Sequence, residues 1–312
     1  MKHLITGASS FSGGHLIEYL RSIGEGDIVG CGLSSAREGS RHIPYHRLDI
    51  RDAAQVQELV GSEQPDVVYH LAGSSDEADP RRLLHINVEG TWNLLHACRQ
   101  SGSGAIKVLL VGSSAVYGEM NDGDAGLSEM HPPRPQSFYG WSRHSALELG
   151  RVAWEKWGLP VYLCVPFNLI GPGLSDAYAP AALARRLMSA RRKEETRFLL
   201  RNASAVRDYV DIRDAVRAYY SVVATGQSGI CYNVGRGIPI SILELVRTMA
   251  SVLEVKVEIV PDESARWNER SGIRRSIADI SRIQRETGWE PRMSFRESVR
   301  DLLLAVSRAE DL

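Results

Sequence analysis

Short runs rich in Val, Leu and Ile alternate with helical patterns along the first two thirds of this 312-residue chain. Several runs show no polar alternation, which is typical of strands buried on both faces of a sheet. Strands are predicted at 3–6, 27–32, 67–71, 107–112, 161–165 and 230–234, with a weaker one at 45–48. Such alternation requires right-handed crossovers, so the sequence predicts an α/β fold with a doubly wound parallel sheet.

A glycine-rich turn, Thr6-Gly7-Ala8-Ser9-Ser10-Phe11-Ser12-Gly13, follows the first predicted strand and opens the first helix. Glycines there let backbone N–H groups approach a pyrophosphate, and the helix N-terminus adds its dipole. The turn therefore predicts a Rossmann-type dinucleotide site formed by Gly7, Ser9, Ser10, Phe11 and Gly13. Ser10 occupies the middle small-residue position, where it either crowds the phosphate or donates its hydroxyl to it.

The end of the second predicted strand indicates which dinucleotide binds. An NAD site expects Asp or Glu there, on the ribose 2′-hydroxyl. This strand instead runs into Cys31-Gly32-Leu33-Ser34-Ser35-Ala36-Arg37. Ser34 and Arg37 suit a 2′-phosphate, so we favour NADP(H) over NAD(H). The alternative is a solvated polar loop in which Glu38, or no residue, contacts the ribose.

The chain changes character after about residue 166, where Pro166, Pro172 and Pro180 interrupt a loop-rich stretch. Helical patterns at 181–193, 211–224, 241–253, 280–287 and 295–308 complete the chain. We predict an NAD(P)-binding Rossmann domain from residues 1–166 plus about 207–235. A smaller mixed α/β lobe, from about 167–206 and 236–312, is expected to bind the substrate.

A candidate proton-transfer site lies within the first of these parts of the chain. Ser113 and Ser114 follow a predicted strand, and Tyr139 and Arg143 lie four residues apart in the next helix, on one face. A fixed cation favours the phenolate, so Tyr139 can give a proton to a substrate oxygen at neutral pH. Ser113 can donate to the same oxygen, and Ser114 either assists or only caps and fills. The alternative is an ordinary amphipathic helix.

Composition narrows the classes of partner. The net charge of −1 gives no basic footprint for nucleic acid, and no apolar run reaches the roughly 18 residues of a membrane span. The N-terminus leads directly into the first strand, so we expect no signal peptide and a cytoplasmic protein. The four cysteines are widely spaced, which favours reduced thiols, and the histidines show no metal-binding spacing.

The chain contains several short motifs in the same order as in a known protein family. They are TGASSFSG, Leu48-Asp49-Ile50, HLAG, NVEGT, SSAVYG, YGWSR, FNLIGPG and VRDYVDIRD. Over nearly its whole length the chain resembles the extended short-chain dehydrogenase/reductases that act on nucleotide-diphosphate sugars. Among these it looks most like the GDP-6-deoxy-4-keto-mannose reductases.

The resemblance implies roles for individual residues. Asp49 and Ile50 would border the adenine, and Leu71, Ala72 and Gly73 would line the cofactor path. Ser113 would bind the substrate carbonyl, Tyr139 would be the acid/base, and Arg143 takes the position of the usual lysine on the nicotinamide ribose. The residues expected to contact the substrate are Ser114, Asn168, Arg207 and Arg270 or the nearby Arg266. A surface cation before a helix is the alternative interpretation of Arg207.

These expectations favour NADPH-dependent reduction of the C4 ketone of a nucleotide-diphospho-4-keto-6-deoxyhexose, with GDP as the favoured nucleotide. The alternatives are a nucleotide-sugar 4-epimerase with tightly bound NAD, or a catalytically weak NADP-binding sensor. Ala115 disfavours a dehydratase, because related dehydratases usually carry a carboxylate in this stretch. The family also implies a homodimer formed through helices at 87–101 and 138–157.

Overall fold

The computed structural model describes residues 1–36, 40, 42–102, 106–121, 123–262 and 273–310. The helices are α1 (Phe11–Ser22), α2 (Ala53–Glu63), α3 (Pro80–Leu84), α4 (Gly90–Gln100), α5 (Phe138–Trp157), α6 (Ala179–Arg192), α7 (Ile212–Thr225), α8 (Ile242–Leu253), α9 (Ser281–Thr287) and α10 (Phe295–Glu310). The strands are β1 (His3–Thr6), β2 (Ile28–Gly32), β3 (Tyr45–Arg47), β4 (Val67–His70), β5 (Lys107–Val111), β6 (Val161–Pro166), β7 (Asn168–Ile170), β8 (Arg197–Leu200), β9 (Val206–Asp211), β10 (Cys231–Val234), β11 (Pro239–Ser241), β12 (Glu258–Pro261) and β13 (Arg275–Ser276).

Seven parallel strands form the large sheet, in the order β10-β6-β5-β4-β1-β2-β3. This confirms the predicted doubly wound sheet, and every predicted strand lies within one residue of its observed bounds. The strand order reverses between β1 and β4. At such a reversal the loops after neighbouring strands diverge and open a crevice at the carboxyl ends, where ligands of open α/β sheets bind.

The large sheet is buried on both faces. Every residue of β1, β4 and β6 is buried, which explains their continuous apolar character. A first core surrounds them and includes Leu16, Val68, Leu109 and Tyr219. None of the described helices is long and apolar enough to cross a membrane.

A second core lies in the smaller lobe and includes Leu187, Phe198, Tyr209 and Leu245. There β9 pairs antiparallel with β11 and parallel with β7 and β13, and β8 pairs parallel with β12. The stretch predicted as loop-rich after residue 166 thus contains the short strand β7. The C-terminal residues 277–289 pack on the first core, and the domain limits given above remain a prediction.

The helix predicted from residue 87 is preceded by α3 and a π-helical turn, His85–Glu89, before α4 begins. Asn87 lies in this turn and is fully buried. Its Nδ2 donates to Ser142 Oγ and to the Ser74 carbonyl, both at 2.9 Å, while its Oδ1 accepts from Ser74 N–H at 2.8 Å. The wide turn thereby ties α5 to the loop that follows β4.

Candidate active site

A cavity of about 900 Å³, called here the central cavity, opens at the carboxyl ends of the large sheet and extends to the smaller lobe. Its walls include most of the residues predicted to contact the cofactor or substrate or to act in catalysis: Ser9, Ser10, Phe11, Leu71, Gly73, Ser113, Ser114, Tyr139, Arg143, Asn168 and Arg207. Other predicted site residues do not line it: Gly7, Gly13, Ser34, Asp49, Ile50 and Ala72. Arg37, Arg266 and Arg270 lie outside the described residues.

The glycine-rich turn packs tightly between β1 and α1. Gly7 has φ +69°, and a Cβ there would lie 2.7 Å from the Ala72 nitrogen. A Cβ at Gly13 would lie 2.7 Å from Ala8 Cα, so both glycines permit close packing behind the turn rather than contact with the cavity. Ser10 caps α1, because its Oγ accepts from Gly13 N–H at 3.1 Å. Its hydroxyl proton remains available to a phosphate oxygen.

The segment after β2, where the sequence predicts the ribose contact, carries no carboxylate among its described residues before Asp49. The Tyr45 hydroxyl donates to the Ser34 carbonyl at 2.8 Å, and Arg47 Nε donates to the Leu33 carbonyl at 3.2 Å. Arg47 adds a cation that the sequence analysis missed, since only the β2–β3 pairing brings it there. Asp49 is engaged by Arg51 at 2.6 Å, whose hydrogen bond lowers the pKa of that carboxyl.

The proton-transfer residues lie at the ends of β5 and α5. Ser113 begins a short 3₁₀ turn, and its Oγ accepts from Ala115 N–H at 3.3 Å. Tyr139 lies in the first turn of α5, which Ser137 caps by accepting from Gly140 N–H at 3.1 Å. Glu77 accepts the Tyr139 backbone N–H at 2.8 Å, so two polar groups fix the start of this helix.

Arg143 lies beside Tyr139 as the i, i+4 spacing predicts, with its guanidinium carbon 5.5 Å from the centre of the phenol ring. Its NH1 donates to the Val111 carbonyl at 3.3 Å. A Cβ at Gly73 would lie 2.7 Å from the guanidinium carbon, so Gly73 provides the room that the arginine needs. No carboxylate of the described residues forms an ion pair with Arg143, and its Nε is buried without a partner among them.

A buried hydrogen-bonded chain supports the loop after β4. The Thr91 hydroxyl donates to the Asn87 carbonyl at 2.6 Å and therefore accepts from His70 Nε2–H at 3.0 Å. His70 Nδ1 then accepts from the Thr6 hydroxyl at 2.7 Å, and Thr6 Oγ1 accepts from Ala72 N–H at 3.2 Å. Burial, with a smaller contribution from Arg143, lowers the pKa of His70 to about 3. The imidazole is therefore neutral at physiological pH.

On the lobe side, Arg207 lines the cavity without a carboxylate partner among the described residues. Its guanidinium donates to the carbonyls of Val206, Ile273 and Arg274. Burial lowers the pKa of Arg207, although it stays charged at neutral pH. Asn168 lies nearby on β7, where its Nδ2 donates to the Asp208 carbonyl at 3.4 Å. A half-buried cation of this kind gains from an anionic ligand.

Three residues of the site region were missed by the sequence analysis. Tyr219 and Ser276 line the central cavity, both are at most 2% exposed, and neither hydroxyl has a partner among the described residues. Asp208 is fully buried and accepts N–H groups of Arg236, Gly237 and Ala278, which joins β9 to two other lobe segments. No local pattern marks these positions, because their roles depend on residues distant in sequence.

The lining of the cavity also limits its chemistry. Glu18 is the one carboxylate among the described residues that line it, and it lies on α1 rather than beside Tyr139. The described residues contain no group of three or more His, Cys, Asp or Glu that could hold a metal ion. Ser113, Tyr139 and Arg143 instead bring a hydroxyl, a phenol and a fixed cation to the same cavity. The hydroxyl and the phenol can donate protons to a ligand oxygen.

Comparison with known proteins defines the class. Residues 3–235 match the NAD dependent epimerase/dehydratase family. The GDP-6-deoxy-D-mannose reductase of Pseudomonas aeruginosa is 32% identical over 317 residues, which cover 96% of this chain and 95% of that protein. A dTDP-glucose 4,6-dehydratase of Xanthomonas campestris is 29% identical, with coverage of 95% and 90%.

Solved structures give the same result. RMD from Pseudomonas aeruginosa complexed with NADPH superposes with a TM-score of 0.83 at 29% identity, covering 99% of this chain and 100% of that one. The UDP-glucose 4-epimerase of Thermus thermophilus in complex with NAD gives 0.84 at 25% identity, with coverage of 99% and 100%. The chain therefore belongs to the NAD dependent epimerase/dehydratase family. It is an NAD(P)-dependent oxidoreductase of the extended short-chain dehydrogenase/reductase type.

Proposed function

We propose that this enzyme reduces the C4 ketone of a nucleotide-diphospho-4-keto-6-deoxyhexose, with GDP as the nucleotide and NADPH as the reductant. The observation that carries the proposal is a single cavity lined both by Ser113, Tyr139 and Arg143 and by Arg207, which forms no ion pair with a carboxylate of the described residues. The relatives named above, a GDP-6-deoxy-D-mannose reductase and an NADPH complex, support both the sugar and the cofactor.

Each of the three residues Ser113, Tyr139 and Arg143 has its own role in the proposed reaction. When bound, the nicotinamide supplies the hydride that reduces the carbonyl carbon. The Ser113 hydroxyl donates to the carbonyl oxygen as negative charge develops on it. Tyr139 transfers its phenolic proton to the same oxygen, which completes the alcohol. Arg143 stabilises the resulting phenolate until solvent returns the proton, and the guanidinium itself stays charged throughout.

The cofactor preference rests on the end of β2. Ser34, Arg37 and Arg47 would surround a 2′-phosphate, and the sequence from Ile28 to Ala36 carries no acid to bind a 2′-hydroxyl. The glycine-rich turn would hold the pyrophosphate, with Asp49 and Ile50 near the adenine and Leu71, Ala72 and Gly73 along the path between them.

On the substrate side, Arg207, Asn168 and Ser114 would hold the diphosphate and sugar, with Arg270 joining them. Planar, doubly donating recognition of phosphate suits arginine, and no described carboxylate competes for Arg207. We further propose a homodimer formed through α4 and α5. Trp92 of α4 is 45% exposed and Trp141 of α5 is 50% exposed, and Trp92 contacts Trp157 with ring centres 5.5 Å apart.

The direct test mixes the purified protein with NADPH and GDP-4-keto-6-deoxymannose and follows the absorbance of NADPH at 340 nm. We expect one NADPH to be consumed for each keto-sugar, and Arg207→Gln to raise KM about tenfold or more. Arg186→Gln is the matched control, because that guanidinium also donates to a backbone carbonyl, of Leu199, but lies outside the cavity.

Redox-neutral interconversion of sugars with a co-purifying NAD would instead identify an epimerase. NADPH binding without turnover of any nucleotide sugar would identify a sensor.

A further inference from the structure

One face of α1 connects the glycine-rich turn to the smaller lobe. His15 Nε2 lies 2.9 Å from the Pro172 carbonyl oxygen, in the loop between β7 and α6. A carbonyl oxygen can only accept, so Nε2 carries the proton and donates it. The bond joins the helix that begins at the cofactor turn to the loop that carries one wall of the substrate end of the cavity.

Phe11 provides a second, independent link from the same face. Its ring packs against both the first core and the second core. The ring also meets His15 edge-on, with centres 5.3 Å apart and an angle of 84° between the planes. Phe11 belongs to the glycine-rich turn, so a shift of that turn reaches the lobe through a packed aromatic contact and through a hydrogen bond.

The loop held by His15 bears directly on the shape of the cavity. Residues 172–175 line it, and Leu174 is buried in the second core. The other imidazole nitrogen, Nδ1, lies 3.6 Å from a Glu18 carboxylate oxygen. That separation is beyond hydrogen-bond distance, so the ring is oriented by its bond to the Pro172 carbonyl and by its edge-on contact with Phe11.

From this geometry we propose that His15 is a positioning residue that couples dinucleotide binding at the glycine-rich turn to the position of the 172–175 loop. The proposal rests on the function proposed above for the identity of the two ligands. Binding of a dinucleotide orders the start of α1, and His15 transmits that order to the loop, so the second ligand binds a loop already in place. Coupling free energies of this type change affinity by about 5–150-fold.

The test measures the Kd of GDP by calorimetry with and without saturating NADPH. In the wild type we expect NADPH to tighten GDP binding at least fivefold. His15→Phe keeps the ring contact with Phe11 but removes the donor, so we expect the factor to fall below twofold while the Kd of NADPH alone is unchanged. His15→Gln places an amide N–H near the position of Nε2 and should restore most of the coupling.

The outcomes separate this proposal from the proposed reaction, because NADPH and GDP do not react with each other. Equal coupling in wild type and His15→Phe, or GDP binding without coupling in the wild type, would overturn the role of His15 alone. A coupling lost equally in His15→Gln would overturn it too, since the donor would then be irrelevant. Intact coupling without ketone reduction would count against the proposed reaction and leave the coupling established.

Discussion

The surroundings of Arg143, which the resemblance places at the position of the usual lysine, accommodate a large, planar cation. Gly73 leaves the space for the guanidinium, and the Val111 carbonyl accepts one of its N–H groups. A guanidinium does not lose its charge at any accessible pH, whereas a lysine at such a site can. The electrostatic support for Tyr139 is therefore constant, while proton return to the phenolate depends on other groups.

Replacing Tyr139 by Phe tests the proton donor. We expect kcat to fall about 10³-fold, because the alkoxide loses its acid, while NADPH affinity measured by fluorescence titration stays nearly unchanged. Tyr117→Phe is the control, since its hydroxyl is buried and donates to Asn233 Oδ1 at 2.8 Å, away from the cavity. That variant should lose about 1 kcal/mol of stability and keep its kcat. Wild-type-like rates in Tyr139→Phe would refute the assigned acid.

The hydroxyl of Tyr219 gives a prediction of the opposite sign. A buried hydroxyl without a partner costs about 1–3 kcal/mol, so Tyr219→Phe should raise the free energy of unfolding of the ligand-free protein by about 1 kcal/mol. Tyr232 is the matched control, because its buried hydroxyl donates to Glu286 Oε2 and accepts from Gln227 N–H. Urea unfolding should show Tyr232→Phe to be destabilised. An equal decrease in the free energy of unfolding in both variants would mean that the Tyr219 hydroxyl has a hydrogen-bond partner.

The sequence predicts those parts of the site in which the contacting residues are close together along the chain. The contact between Tyr139 and Arg143 can be predicted because the two residues are one helical turn apart. The glycine-rich turn can be predicted because it lies within one strand–turn–helix unit. Gly73 beside Arg143 and Arg47 beside Leu33 could not be predicted, because each joins two segments that only the folded sheet brings together.

Whether a helix or strand can be predicted also depends on whether it is determined by its own sequence or by contacts with distant segments. Six of the seven strands of the large sheet are predictable because burial leaves a largely apolar run. The edge strand β3 is the exception, since its residues are intermediate or exposed and its pattern is weaker. The short strands β7, β8, β12 and β13 are not predictable, since each has two to four residues and its pairing depends on distant partners. The π-helical turn at His85–Glu89 is likewise set by the contacts of Asn87 with Ser74 and Ser142.

The packing of α1 on its turn yields a prediction at Gly13. An Ala there would place its Cβ 2.7 Å from Ala8 Cα and push the helix away from the turn. We expect a stability loss of about 1–3 kcal/mol and NADPH binding weakened more than tenfold. Gly61→Ala in α2 is the control, because its Cβ would meet nothing within 4 Å and helix propensity favours Ala by about 0.5–1 kcal/mol. Unchanged NADPH affinity in Gly13→Ala would contradict the close packing.

The stability of the folded chain should depend on pH through His70. Its pKa is about 3 when folded, against about 6.5 when exposed, so the unfolded chain binds more protons between these values. Stability is therefore complete above pH 6.5 and falls as the pH drops, by up to about 1.4 kcal/mol per unit. Urea unfolding at pH 7, 6 and 5 measures this slope above the range where most carboxyls titrate. His70→Gln should flatten it, and an unchanged slope would show that other groups are responsible.

Arg207 and Asp208 are neighbours in sequence, yet they do not neutralise each other. Successive side chains of a strand point to opposite sides of its pleat, so β9 turns the guanidinium toward the cavity and the carboxylate into a nest of backbone N–H groups. A one-residue slip of β9 would exchange the two and turn the carboxylate toward the cavity. The alternation of this single strand thus gives the cavity wall a positive rather than a negative charge at this position.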